Sequence, residues 1–248
     1  MKKYIMLGLV SFYSLAQSDI DVVYERHSIN KVEVHDGARL TDLLFSTKLP
    51  NDIYWRSAQI ANPQAMAAIQ VAKETLLKDL KSLQVFWMRG GDQGALIQST
   101  QQLLQELDRI PVSGRLPVLL DPAKSRVDPA GNPLLKGNYT LFVAPRPGFI
   151  YFVGLINGRS KQPLQAGASL ADYWQGYSLL MGADPCEAIL IQPDGTISRV
   201  PVANWNQLHR EPMAGATLFV GFDSDVLPEK YRDINIRIAN LLANRVPE

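Results

Sequence analysis

Gly37-Ala38-Arg39-Leu40-Thr41-Asp42 returns 130 residues later as Gly167-Ala168-Ser169-Leu170-Ala171-Asp172, with four of the six positions unchanged. Extended upstream without a gap, the same offset sets Ile20, Val22 and Val23 against Ile150, Phe152 and Val153. A second match follows in the same order: Thr140-Leu141-Phe142-Val143 and Thr217-Leu218-Phe219-Val220, each shortly after a glycine (Gly137, Gly215). Its offset is 77, so the first copy holds about 53 more residues between its matching ends. Two matches in one order point to an internal repeat.

The additional residues have helical character. From 63 to 86, Ile69, Ala72, Leu76, Leu80 and Leu83 fall on one helical face, with Asn62 suited to cap the helix and Pro63 to its first turn. Three glycines and an aspartate between Met88 and Gly94 make a turn, and Leu96, Leu103, Leu107 and Ile110 trace a second helix ending before Pro111. Residues 63–109 therefore read as a helical hairpin inserted into the first copy.

With the hairpin set aside, each copy reads strand, strand, short helix, strands. In the second, Phe149 to Ile156 is a β-branched and aromatic run, followed by Asn157-Gly158 as a hairpin turn. Ser169 is placed to cap a helix that buries Leu170, Tyr173 and Trp174. Ala188–Ile191 and Thr196–Val200 flank the turn Pro193-Asp194-Gly195, and Thr217 to Phe222 closes the set. One helix against a small mixed sheet in ββαββ order is the β-grasp arrangement. The fold class expected is α+β: two β-grasp domains at 17–147 and 148–226, the hairpin inserted in the first. Beyond Pro228, Tyr231, Ile234, Ile238, Leu241 and Leu242 lie at helical spacing, so 227–248 reads as a C-terminal amphipathic helix. Such a helix packs on its own protein, a partner or a membrane, and its mixed rather than basic polar face disfavours the last.

Composition bounds the function. The 248 residues are 46% apolar and 20% charged, a globular balance, and a formal charge of +1 gives no basic face for nucleic acid. A single cysteine, Cys186, excludes a disulfide framework and a zinc site built from cysteine pairs. At the start, Lys2 and Lys3 precede an uncharged, mostly apolar run from Tyr4 to Tyr13, and Ser14-Leu15-Ala16 supplies small residues at a cleavage site. Residues 1–16 are the three-part pattern of a secretory signal peptide, too short to span a bilayer. An exported chain without a membrane span is expected.

Ser113-Gly114-Arg115-Leu116-Pro117-Val118, Pro201-Val202-Ala203-Asn204-Trp205-Asn206 and Val226-Leu227-Pro228-Glu229-Lys230-Tyr231, taken with the leader and the inserted hairpin, resemble the GfcC-type capsule biosynthesis proteins. The resemblance covers essentially the whole mature chain. It implies a periplasmic protein encoded with group 4 capsule or exopolysaccharide export genes. It also implies β-grasp (SLBB-like) domains similar to those of Wza-type outer-membrane exporters, in which the C-terminal helix spans the outer membrane.

No catalytic set emerges. His27, His35 and His209 lack metal-ligand spacing, and there is no Gly-x-Ser-x-Gly elbow, Walker loop or dinucleotide fingerprint. Asp121, Asp128, Asp184, Asp194, Asp223 and Asp225 sit beside Pro, Gly or Ser, as turn and cap residues do. No metal or cofactor is expected. Arg115 is the first candidate: its guanidinium either grips the carboxylate of an acidic sugar or of a partner, or holds an internal carbonyl or carboxylate and locks the hairpin to its domain. The second candidate is Trp205, an aromatic face with Asn204, Asn206 and His209 around it, as carbohydrate sites use; the alternative is a core tryptophan. The reading is a non-enzymatic factor in polysaccharide export that binds polysaccharide or the outer-membrane export proteins. Its rivals are a polysaccharide-modifying enzyme with a carboxylate pair and an envelope scaffold.

Overall fold

In the computed structural model, which describes residues 18–91, 93–174, 177–202 and 209–248, the repeat is visible as two sheets with a common four-strand core, to which the second adds one edge strand. The signal-peptide pattern at 1–16 lies outside the described residues. The first sheet contains Ser18–Tyr24 (β1), His27–Val34 (β2), Gln59–Ala61 (β3) and Tyr139–Val143 (β4), in the order β2-β1-β4-β3. Leu40–Leu44 (α1) and Pro122–Val127 (α4) accompany it, and between β3 and α4 run Pro63–Arg89 (α2) and Gly94–Arg109 (α3). In the second unit come Phe149–Gly154 (β5), Ile156–Asn157 (β6), Lys161–Pro163 (β7), Leu170–Trp174 (α5), Ser178–Leu179 (β8), Glu187–Ile191 (β9), Ile197–Pro201 (β10) and Thr217–Val220 (β11). The five-stranded sheet has the order β10-β9-β11-β5-β7. Ile234–Leu242 (α6) follows as the last helix.

The central pairs are parallel and in equal register: Leu141 faces Val22 in the first sheet, and Leu218 faces Phe152 in the second. These are the two residue pairs that the repeat aligns. Its conserved hexapeptide is explained position by position. Gly37 and Gly167 take left-handed φ values of +78° and +74°. Leu40 and Leu170 are buried. Asp42 accepts the Arg39 N–H at 2.7 Å, and Asp172 accepts the Ser169 N–H at 2.8 Å. The cap differs from the one expected of Ser169: its hydroxyl donates to the Asp172 carboxylate at 2.9 Å, and Asp172 forms the reciprocal half of a capping box by accepting the Ser169 N–H. Asp121, Asp128, Asp184, Asp194 and Asp223 each accept a backbone N–H two or three residues ahead, as turn residues do.

A second departure concerns Asn157-Gly158. The chain does reverse through this segment, since β5 pairs antiparallel with β7, but not as a two-residue turn: β5 ends at Gly154 (φ +118°) and Ile156–Asn157 pairs with β8 within a longer connection. Any Cβ on Gly154 would stand 2.1 Å from the Val220 carbonyl oxygen, so only glycine fits where β11 passes this residue.

The hairpin forms as its periodicity requires, with the Asn62 side chain accepting the Ala65 N–H at 2.8 Å and Pro63 in the first turn. It belongs in sequence to the first unit and packs on the second. Leu76, Leu80, Leu83, Leu103 and Leu107 share a core with Val153, Ile189, Ile191 and Phe219, and with Ile234, Ile238, Leu241 and Leu242 of α6. The alternating residues Ile150, Phe152, Leu190 and Leu218 face α5 instead. Both faces of this sheet are therefore covered, where one helix per sheet was expected; the near-continuous apolar runs of β5, β9 and β11 are what two buried faces require. The apolar stripe of α6 is buried on its own protein, and no helix among the described residues is long and apolar enough to cross a membrane.

Candidate functional site

After α6 the chain returns to the first unit. Asn244 O accepts the Ser113 N–H at 2.8 Å, Val112 bridges to Arg245, the Gln59 side-chain amide donates to Arg245 O at 2.6 Å, and Val246 packs with Ala61 and Phe142. This crossing segment fixes Arg245 and Glu248 where the two sheets and α3 meet.

Arg115 lies at the same junction. Its backbone N–H donates to Asn244 Oδ1 at 2.8 Å, and Nη2 donates to the Pro193 carbonyl at 2.6 Å, in the β9–β10 turn. Burial pulls its pKa down to about 10, against the opposing influence of Asp194. The guanidinium thus ties the root of the hairpin to the second sheet, while Nε is buried with no hydrogen-bond partner among the described residues. The cavity it lines, with Tyr151, Arg245 and Glu248 on its wall, measures ≈ 40 Å³. That is room for a few waters, not for a sugar ring. Trp205 and Asn206 lie outside the described residues. His209 is exposed, its Nε2 3.0 Å from Glu211 Oε1.

A space large enough for a ligand lies on the other side of that wall. A cleft of ≈ 470 Å³ runs between α3 and the β5–β7 edge, lined by Gln102, Gln105, Glu106 and Arg109 of the helix, Tyr151, Ser160 and Lys161 of the sheet, Arg26, Arg245 and Glu248. Its volume is in the range of small-ligand sites. Four cations face two carboxylates there, with two side-chain amides between them. Glu106 Oε2 accepts the Gly154 N–H at 3.0 Å, an anchor between α3 and the end of β5; burial raises its pKa by more than that N–H and Arg245 lower it.

Glu248 accepts from four donors. Oε1 accepts from Lys161 Nζ at 2.9 Å, Arg245 Nη2 at 2.7 Å and the Tyr151 hydroxyl, and Oε2 meets Arg26 Nη2 at 2.5 Å. Arg245 also stacks over the Tyr151 ring, Cζ 3.3 Å from its centroid. None of these residues was visible as a site in the sequence, since the cleft draws them from five separate segments with no local spacing.

Two family models match the chain: capsule biosynthesis GfcC, N-terminal, over residues 16–146, and capsule biosynthesis GfcC C-terminal, over 158–247. The chain belongs to the GfcC capsule biosynthesis family. It is 37% identical over 227 residues to the uncharacterized protein YjbG of Escherichia coli (strain K12), a match covering 91% of this chain and 90% of that one. Membership in the GfcC family places the chain in capsule polysaccharide biosynthesis.

The charge network of this GfcC-family chain has a measurable signature in acid. Burial opposes ionisation of Glu248, but the Tyr151 and Lys161 hydrogen bonds and the Arg245 and Arg26 charges outweigh it and hold its pKa down to about 2, from an ordinary 4.5. A depressed folded-state pKa contributes stability that is present above the unfolded value and lost as pH falls through the folded one. Glu106, with its pKa raised, has the opposite sign and favours the folded state on acidification. Thermal melts of wild type and Glu248→Gln should therefore differ in favour of wild type at neutral pH, and the difference should shrink between about pH 4.5 and 2. A constant difference across that window would mean that Glu248 is not held as an ion.

Proposed function

We propose that this GfcC-family protein binds an acidic capsular or exopolysaccharide chain in the periplasm, holding it in the α3–β5 cleft without cleaving it. The observation that carries this reading is the cleft itself: excess positive charge, Gln102 and Gln105 amides for hydroxyl groups, and a volume suited to a few sugar atoms beyond one ring. The leader-like residues 1–16 support export to the periplasm. The test is an NMR titration of isotope-labelled protein with the purified capsular polymer, following protein and sugar resonances together. Shifts centred on Gln102, Gln105 and Arg109 with unchanged sugar signals are expected. Arg109→Ala, at an exposed position, should weaken binding by about tenfold with stability unchanged, since it removes one charge-assisted contact. Shifts confined to other surfaces would overturn the assignment.

One observation favours a second reading, a polysaccharide-modifying enzyme. Glu106 and Glu248 share the cleft, with pKa values displaced in opposite directions, as an acid and a carboxylate base or nucleophile require. Against it, the Glu106 carboxylate bonds the Gly154 N–H and Glu248 accepts from four donors, so neither is poised toward a scissile bond. New reducing-end signals in the same titration would reverse the choice.

A further inference from the structure

The donors around Glu248 are more than a surface ion pair needs. They converge from four places: Arg26 in the β1–β2 turn, Tyr151 on β5, Lys161 on β7 and Arg245 after α6. Arg26 reaches the site at a backbone cost. The β1–β2 hairpin is closed by Glu25 and Arg26 at φ +47° and +68°, a two-residue turn with both central residues left-handed. Such turns favour Asn-Gly, and long side chains there are strained. The turn gives up that relief and presents a guanidinium to the cleft.

Arg245 supplies a second observation. Its side chain is 14% exposed, its Nη2 holds Glu248, and its Nε is buried with no hydrogen-bond partner among the described residues. The cluster has more donor capacity than Glu248 uses. Glu248, at 20% side-chain exposure, also belongs to the wall between the cleft and the Arg115 cavity.

We propose that Arg26, Lys161, Arg245 and the Tyr151 hydroxyl form a carboxylate-binding subsite of the cleft, which takes the carboxylate of an acidic sugar residue, and that the Glu248 side chain occupies it as an internal stand-in until ligand displaces it. The inference rests on the polysaccharide-binding reading above and specifies the group recognised. Removing Glu248 from its partners leaves Arg245 largely buried and unpaired beside the half-exposed Arg26 and Lys161, so the site favours an anion over a neutral sugar in its place. The planar guanidinium groups suit a carboxylate's two oxygens. Gln102, Gln105 and Ser160 beside the subsite offer donors and acceptors to the sugar ring's hydroxyls.

Calorimetric titration of the full chain with trigalacturonate, and with its methyl ester as the uncharged control, tests the subsite in wild type, Glu248→Gln and Arg26→Gly/Glu248→Gln. Glu248→Gln should bind trigalacturonate at least about tenfold more tightly than wild type, because the internal competitor has lost its charge. The ester should gain nothing, and the double variant should give most of the gain back. Glycine suits the left-handed backbone at position 26, so that loss is not one of folding. Should Glu248→Gln fail to fold, the carbon-13 resonance of the Glu248 carboxyl in wild type decides: it must move when trigalacturonate is added. Equal affinity of wild type and Glu248→Gln, an equal gain for the ester, an unmoved Glu248 resonance, or preference for a polyglutamate peptide over trigalacturonate would each overturn the subsite. If the capsular polymer still shifts Gln105 and Arg109, the binding function stands while the subsite falls. If the polymer shifts nothing but the tenfold gain for trigalacturonate appears, the subsite stands and the proposed function falls.

Discussion

Unfolding free energy is expected to fall by ~3 kcal/mol or more when Gly114 is replaced by alanine. Gly114 has φ +71°, which costs an L-residue about 1–2 kcal/mol by itself. The larger effect is steric. A Cβ there would stand 2.5 Å from both the carbonyl carbon and oxygen of Ala65, and 2.7 Å from the Met66 nitrogen. These are backbone atoms of the first turn of α2, so no rotamer change relieves the contact. The hairpin root would have to move, and with it Ser113 and Arg115, whose bonds to Asn244 and Pro193 join the two units. Gly37 separates the two causes: its φ is +78°, yet nothing lies within 4 Å of its Cβ position, so Gly37→Ala should cost only the conformational ~1–2 kcal/mol. Urea denaturation of both variants checks the contrast. Equal losses would show that the approach of α2 to Gly114 is not rigid in solution.

Ile238→Ala is expected to destabilise the chain by ~3 kcal/mol, within the range for a buried isoleucine truncated to alanine. Ile238 is fully buried among the hairpin, the second sheet and α6 itself, while Ile236 two residues earlier is 42% exposed. Ile236→Ala should change stability by no more than ~0.5 kcal/mol. Arg237 between them fastens α6 to α2 by a 2.6 Å pair with Asp79, so the helix is held at two points. The comparison discriminates between a docked helix and one free to engage a membrane. At nine residues α6 extends only about 14 Å, well short of a hydrocarbon core of roughly 30 Å. Equal, small effects for both substitutions would show α6 detached in solution.

The repeat was legible because its residues answer local demands. Gly37 and Gly167 satisfy a left-handed turn, Asp42 and Asp172 close a helix start, and Leu141 and Leu218 occupy one register beside the first strand of each sheet. The hairpin was legible for the same reason, through the spacing of Leu76, Leu80, Leu83, Leu103 and Leu107. The Asn157-Gly158 reversal was read as too tight because the pairing that lengthens it, Ile156–Asn157 with Ser178–Leu179, joins residues about twenty apart in the chain. The cleft's residues were not legible as a set. One local sign was present: Glu25-Arg26 between two alternating strands is a poor choice for a two-residue turn, and such a choice asks for a reason elsewhere in the fold.

Periodicity and turn chemistry act over three to ten residues, so the β-grasp repeat, the amphipathic hairpin and the apolar stripe of the last helix follow from residue order alone. An apolar stripe is non-directional: it specifies that a helix face is buried and leaves open against what. The packing of the hairpin on the second sheet, the seating of α6 beneath it and the return of the chain past Arg115 depend on how the two units close together. That closure brings Arg26, Glu106, Arg109, Tyr151, Lys161, Arg245 and Glu248 to one cleft, because electrostatic and hydrogen-bond partners are chosen by distance in space, which the order of residues along a chain does not encode.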